Sequence, residues 1–527
     1  MPAIARKLFR DVAIYGAGDV ATSAVNLLLL PLFTRILTTE EYGVLALLLS
    51  IEAGAKILLR WGTDAAFMRL YYECPDGPAR QLLASTILGF LLAINAPVFL
   101  AGWLLAPWLS GAMFGTDAYA ATLRVFFLNT FLLGFFFAPF HVLRIEGRTV
   151  RFSVLTFSRA AGTVLVRLVF IVGLGMGVFG IVAADLVLTA IIGVALAPGF
   201  AALVRPRFSF AVLREALGFG VPRVPHGLAH QVTAMTDRWV LNSYVTLDRI
   251  GVYGIGVSLG LGMKLFLSAF EYAWAPFYLE AMTRPEARAI YSRITTYVVA
   301  ILALLAIGLA AISPELVALM AAPPFADAAR VVPWIALGVL LQGFYQLTAI
   351  GLNITKRTAL LPIATGAATA VAIGVNLLLV PRFGIQGAAW TYALSYGTLA
   401  AAGFALSQWV YPVRYEWRRL AIISVAALAV YALAVFGVRD EWPAIVRLVA
   451  RGGIVSVAFP ALLIAGGVFR LEDLRALVAL RDQLRQPDRL PAGEEVELGG
   501  EIAATPSVVD RAGMKGAAAM DDDARPR

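Results

Sequence analysis

The stretch "SIEAGAKILLRWG", residues 50 to 62, places Glu52, Lys56 and Arg60 four residues apart inside one of the most apolar regions of the chain. On a helix that spacing sets all three on one slowly drifting stripe. Glu52 and Lys56 can close an i,i+4 ion pair, and Arg60 lies one turn further on, where it could mark a mouth or snorkel to an interface. Similar charges stand in other apolar runs: Arg159, Arg167 and Asp185, then Lys264 and Glu271 seven residues apart on one helical face. Arg167 or Arg159 could line a cavity or pair with Asp185. "HGLAH" puts His226 and His230 at i,i+4 beside Arg223, but it lacks the glutamate of the zinc-protease motif and shows no third ligand, so no metal is expected. The pair fits a cavity whose charge responds to pH. Asp237-Arg238 reads as a gate or loop salt bridge closing a helix.

Such charges need a positioning frame. The chain has 527 residues, 60% hydrophobic and 15% charged, with a mean hydropathy of +0.80. Soluble domains run nearer half apolar and a quarter charged, so this composition is that of a polytopic membrane protein. Runs of about 20 apolar residues, the length that crosses a bilayer, occur near 12–34, 42–63, 82–107, 120–143, 152–174, 178–203, 216–241, 250–275, 293–313, 329–352, 359–380, 384–409, 418–437 and 446–469. The expected fold is all-α with about fourteen spanning helices. Basic residues gather on alternate loops, at Arg6/Lys7/Arg10, Arg144/Arg148/Arg151, Arg205/Arg207/Arg214, Arg284/Arg288/Arg293, Lys356/Arg357 and Arg414/Arg418/Arg419. That bias, about three to one, places both termini in the cytoplasm. It also accounts for the net charge of +9 without nucleic acid. An ionisable group at membrane depth costs at least about 2.5–3.5 kcal/mol, so the charges above should face a cavity or a partner.

The single cysteine, Cys74, excludes an internal disulfide. "GAGDVA" from Gly16 matches a dinucleotide fingerprint but follows no strand, and no P-loop pattern occurs; no cofactor is expected. "LEDLRALVALRDQLRQ" after Arg470 has the pattern of a short interfacial helix, and the chain from Pro487 reads as disordered tail.

The chain also repeats itself. "EYGVLALLLS" at 41–50 echoes "RIGVYGIGVS" at 249–258, "FMRLYYE" echoes "APFYLE", "GRTVRFSV" echoes "KRTALLPI", and "FGIVAADL" echoes "FGIQGAAW", in order and at offsets near 200. Two parallel six-helix lobes follow, 1–204 and 205–410, with a substrate site between them, then two more helices at 411–470 and a tail at 471–527. A shift of 208 residues, which carries Gly43 onto Gly251, carries Lys56 onto Lys264.

"YGAGDVATSAVNLLLLPLFTRILTTEEYGVLALLLSI" resembles the opening of the bacterial polysaccharide-biosynthesis flippases, in the multidrug/oligosaccharidyl-lipid/polysaccharide exporter superfamily. "FGVPRVPHGLAHQVTAMTDRWVLNSYVTLDRIGVYGIG" is similar to that family's seventh and eighth helices, through Gly220, Pro222, Pro225, Asp237-Arg238, Gly251 and Tyr253. The resemblance implies a two-lobed bundle around a central cavity in the bacterial inner membrane. It implies transport of a polyprenyl-pyrophosphate-linked oligosaccharide, as in O-antigen or exopolysaccharide synthesis, with glycosyltransferases or a polymerase as pathway partners. If the second and eighth helices line the cavity, as it further implies, Lys56 and Lys264 face each other and would clamp the pyrophosphate. Arg60, Arg159, Arg167, Arg223, His226 and His230 would extend that cationic lining. Glu52, Asp185, Asp237, Arg238 and Glu271 would serve ion coupling or gating. The alternatives are a multidrug exporter, for which an acidic lining would suit a cationic drug better, and a polymerase or ligase, for which the outer loops are short.

Overall fold

A computed structural model describes residues 29–74, 77–282 and 284–469, without the side chains of Thr149, Arg223, His226, His230, Tyr272, Ala273, Ala275, Pro276 and Glu280. Most of the first expected span, the interfacial helix and the tail therefore lie outside the described residues. Among the described residues there is no strand.

The helices of the first half are α1 (29–36), α2 (Thr39–Leu58), α3 (Thr63–Glu73), α4 (Gly77–Leu104), α5 (Ala106–Phe114), α6 (Ala120–Leu133), α7 (Phe137–Ile145), α8 (Thr149–Leu168) and α9 (Gly177–Leu203). The chain continues through α10 (Phe210–Gly220), α11 (Val224–Tyr244), α12 (Leu247–Gly260), α13 (Lys264–Ala281), α14 (Ala287–Met320), α15 (Val332–Thr348), α16 (Ile350–Ile354), α17 (Leu361–Phe383) and α18 (Ile385–Val410). The described part ends with α19 (Trp417–Phe436) and α20 (Ala444–Ala465).

Ten of these helices or helix runs are long and apolar enough to cross a membrane, eleven if the pair α2 and α3, bent by 41°, is one span. The expected fourteen are thus not reached among the described residues. Besides the undescribed first span, two differ for a physical reason. The seventh runs through α10, the 3₁₀ turn Val221–Arg223 and α11, but α11 is too polar to count, with Thr233, Thr236 and Asp237 buried on it. The twelfth, α18, is long enough, but Thr391, Ser395 and Ser407 are buried on it, and it packs between α15 and α17. A helix enclosed by protein gains nothing from apolar side chains all round, so hydropathy drops.

The helices break where sequence chemistry demands it. Pro139 on α7 has no N–H to donate, and its ring excludes the carbonyl four residues back, so the chain turns at Gly134–Phe136 between α6 and α7. Thr38 opens α2 with a capping box, its side chain accepting from the Glu41 N–H while the Glu41 carboxylate accepts from the Thr38 N–H at 3.1 Å. Glu41 also accepts from Val178 N–H at the start of α9, fixing two helix N-termini with one carboxylate. The largest apolar core joins α2, α11, α12, α15, α17 and α18. A second joins α13, α14, α15, α19 and α20.

Candidate functional site

Helices α2 and α12 cross at the end that carries Thr38 and Thr246. These two N-cap residues, related by the 208-residue shift, have nearly the same backbone angles, φ −68° and ψ 162° against φ −70° and ψ 158°. A Cβ on Gly43 would meet the Leu247 carbonyl oxygen at 2.1 Å, and one on Gly251 would meet the Thr39 carbonyl oxygen at 2.0 Å. Under the same shift Gly43 maps to Gly251 and Thr39 to Leu247. The contact is therefore reciprocal, as two-fold related surfaces require. Only glycine allows backbones this close. The Thr39 hydroxyl donates to Asp248 alongside it. Tyr119 donates to Glu40 at 3.0 Å at this same end; partial burial and that bond hold its phenol well above the usual value.

Away from the crossing the packing loosens. Gly43 through Leu48 are all buried, whereas none of residues 51 to 62 is. The charged stripe predicted from sequence lies on this second, open stretch. Lys56 pairs with Glu52 at 2.7 Å, yet its side chain stays 45% exposed. Arg60 pairs loosely with Asp64 at 3.7 Å and lies 5.6 Å from the Phe137 ring. On the neighbouring helices Arg167 grips Asp185 with two bonds, 2.9 and 2.8 Å. Arg159 on α8 feels both Glu52 and Asp185. The structure thus gathers Glu52, Lys56, Arg159, Arg167 and Asp185 into one group in which three cations face two carboxylates.

The second half holds its charges differently. Lys264 is the first residue of α13, after a 3₁₀ break at Leu261–Met263, with the Tyr396 ring 6.0 Å away and Glu271 and Arg238 within electrostatic reach. Glu271 is exposed. Asp237 and Arg238 do not close the seventh span as a loop pair. They lie two turns before the end of α11; Asp237 is buried, 4% exposed, and accepts from the Tyr253 hydroxyl and from the Arg238 N–H at 2.8 Å. The reason is burial: a carboxylate inside the bundle needs donors, and α12 brings one in Tyr253. Arg223 stands in the 3₁₀ turn and His226 and His230 on α11, but their side chains lie outside the described part.

Sequence reasoning missed the device that supports the bend between α2 and α3. Trp61 and Gly62 adopt positive φ, 52° and 68°. Carbonyls freed by the break are taken up by Asn95 Nδ2 on Leu59 O at 2.8 Å and by Thr63 Oγ1 on Arg60 O at 2.7 Å. A Cβ on Gly62 would meet the Gly220 carbonyl oxygen at 2.2 Å, so the break in the second span sits against the break in the seventh. The signal in sequence was Asn95, an amide in an otherwise apolar run. Asn95→Leu leaves the Leu59 carbonyl unpartnered and is expected to lower stability by about 1–3 kcal/mol. A melting temperature unchanged in detergent would contradict this.

A sequence profile of the family described as "Polysaccharide biosynthesis protein" matches residues 32–321. A protein of the Lsg locus of Haemophilus influenzae is 24% identical over 300 residues, covering 53% of this chain and 68% of that one. Among solved structures, the lipid II flippase MurJ in an inward closed conformation superposes with a TM-score of 0.68 at 13% identity, over 85% of this chain and 98% of that one. An inward-facing multidrug resistance MATE family transporter of the MOP superfamily gives a TM-score of 0.59 at 17% identity, over 77% and 96%. Those two solved structures share the fold.

Proposed function

The chain belongs to the polysaccharide biosynthesis protein family, and from that premise we propose that it is a flippase of the bacterial inner membrane. It carries a polyprenyl-pyrophosphate-linked oligosaccharide from the cytoplasmic to the outer leaflet by alternating access. Its lobes are residues 1–204 and 205–410, with the helices of 411–470 appended and both termini cytoplasmic. The crossing of α2 and α12 is the closed outer end, and the open stretch below it is the cytoplasmic side of the cleft.

The observation that carries this reading is the exposed cation at Lys56 on that open stretch, inside a group with more cations than carboxylates. An ammonium at membrane depth that keeps nearly half its surface free is available to an anion. Lys56 and Lys264 bind the pyrophosphate in this proposal, with Arg60, Arg159, Arg223, His226 and His230 as further substrate-binding residues. Arg167 and Asp185 hold α8 to α9. Glu52, Asp237, Arg238 and Glu271 serve coupling or gating. Moving a dianionic headgroup is a matter of binding and release, so the protein needs no catalytic residue.

The test is flipping of a fluorescent polyprenyl-pyrophosphate oligosaccharide in proteoliposomes at matched protein incorporation. Each charge-assisted contact contributes about 1.5–3 kcal/mol, so Lys56→Ala/Lys264→Ala is expected to cut transport by more than about tenfold. Full transport by the double alanine variant removes the lysine clamp. Efflux of a cationic drug without lipid flipping by the parent replaces the reading with a multidrug exporter.

A further inference from the structure

A cavity of about 280 Å³ lies in the first half, where α7 and α9 end and α4 and α8 begin. It is distinct from the cleft and shares none of the residues assigned there. Its charged lining is Arg80, Arg148 and Arg151 against the single carboxylate Glu146. Two of the arginines are held in place. Arg80 donates to the Cys74 carbonyl at 3.3 Å and its guanidinium sits 5.0 Å from the Tyr71 ring, while Arg148 pairs with Glu146 at 2.8 Å. Gln81 ties the two far walls together by donating to the Ala202 carbonyl at 3.0 Å. The rest of the lining is apolar, including Pro139, Leu143, Leu196 and Gly199.

Cations in excess at the end of a spanning bundle attract anionic headgroups, and a guanidinium fork matches phosphate geometry. A surface patch would do only that. Here the cations share a cavity with an aliphatic wall, which suits a molecule that is phosphate at one end and hydrocarbon at the other. We propose that this cavity binds the phosphate of an anionic phospholipid, with the first carbons of an acyl chain against Leu143 and Leu196. The proposal requires only that the chain sits in a membrane and does not depend on what the cleft transports.

Titration of the full chain with phosphatidylglycerol, read as the lipid-bound fraction by native mass spectrometry, tests it. Arg148→Gln/Arg151→Gln removes two exposed cations with little risk to folding. With about 1 kcal/mol per basic residue near an anionic surface, one tightly retained lipid should bind about tenfold or more weakly. Arg414→Gln/Arg418→Gln, which removes two cations outside the cavity, should leave retention unchanged. Equal losses in both variants, or none in the first, overturn the site. Displacement of the retained lipid by excess inorganic phosphate would also overturn it, by showing a phosphate site indifferent to the chain.

Discussion

Glu315→Leu unfastens α20 from α14 and lowers stability by about 3–5 kcal/mol, the cost of leaving buried charge without its partner. Glu315 stands beside Pro314 on α14 and is 1% exposed. Arg451 on α20, itself nearly buried, donates to it at 2.8 Å, and Arg447 approaches at 3.2 Å. Asp440 completes the group at 3.1 Å from Arg451. With α14 about 50 Å long at 1.5 Å per residue, this cluster fixes α20 near one end of the longest helix. Removing the carboxylate leaves the buried Arg451 guanidinium with the exposed Asp440 alone, whereas removing both partners restores an apolar contact. Glu315→Leu should therefore fall sharply in melting temperature in detergent, and Glu315→Leu/Arg451→Leu should recover most of the loss. If the single variant melts with the parent, or the double melts lower still, the cluster is not what holds α20.

Gly251→Leu opens the crossing of α2 and α12. The added side chain has no place to go, since the atom in its way is a backbone oxygen rather than the end of a flexible side chain. Overpacking costs about 1–3 kcal/mol, which shifts a two-state equilibrium by roughly 5- to 150-fold. The closed arrangement at the Thr38 end is disfavoured by that factor, and under the alternating-access cycle proposed above transport is expected to fall accordingly. Ser50, only 3% exposed, reports the change. A cysteine there is expected to react with an impermeant maleimide from the Thr38 side in the Gly251→Leu background and to stay protected in the parent. Protection in both, with normal transport, would mean the crossing is not a gate.

Much of this architecture was readable in advance because bilayer thickness fixes helix length and a repeated chain announces its own symmetry. Every expected span after the first meets a helix, within a few residues at most ends. The pairings Glu52–Lys56 and Arg167–Asp185 were also open to inspection, the first through i,i+4 geometry and the second through facing positions on consecutive spans. What escaped was set by distant parts of the chain. Glu315 and Arg451 are 136 residues apart, and no local spacing links them. The break at residues 59–62 depends on Asn95 from another helix. Asp237 looked like the end of a span because a carboxylate next to an arginine suits an interface, but the Tyr253 hydroxyl and the Arg238 N–H donate to it and so permit its burial.

The reciprocal contact of Gly43 with Leu247 and of Gly251 with Thr39 is the geometry of a symmetric dimer realised in one polypeptide. In a true homodimer every substitution appears twice, so both sides of the axis must accept it at once. Joining the copies removes that constraint, and each half can drift alone. The drift is visible along this very pair of helices. Lys56 keeps its counterpart in Lys264, but Glu52 maps to Gly260 and Arg60 to Ser268. Symmetry has been retained where the backbones touch and abandoned where the side chains are free.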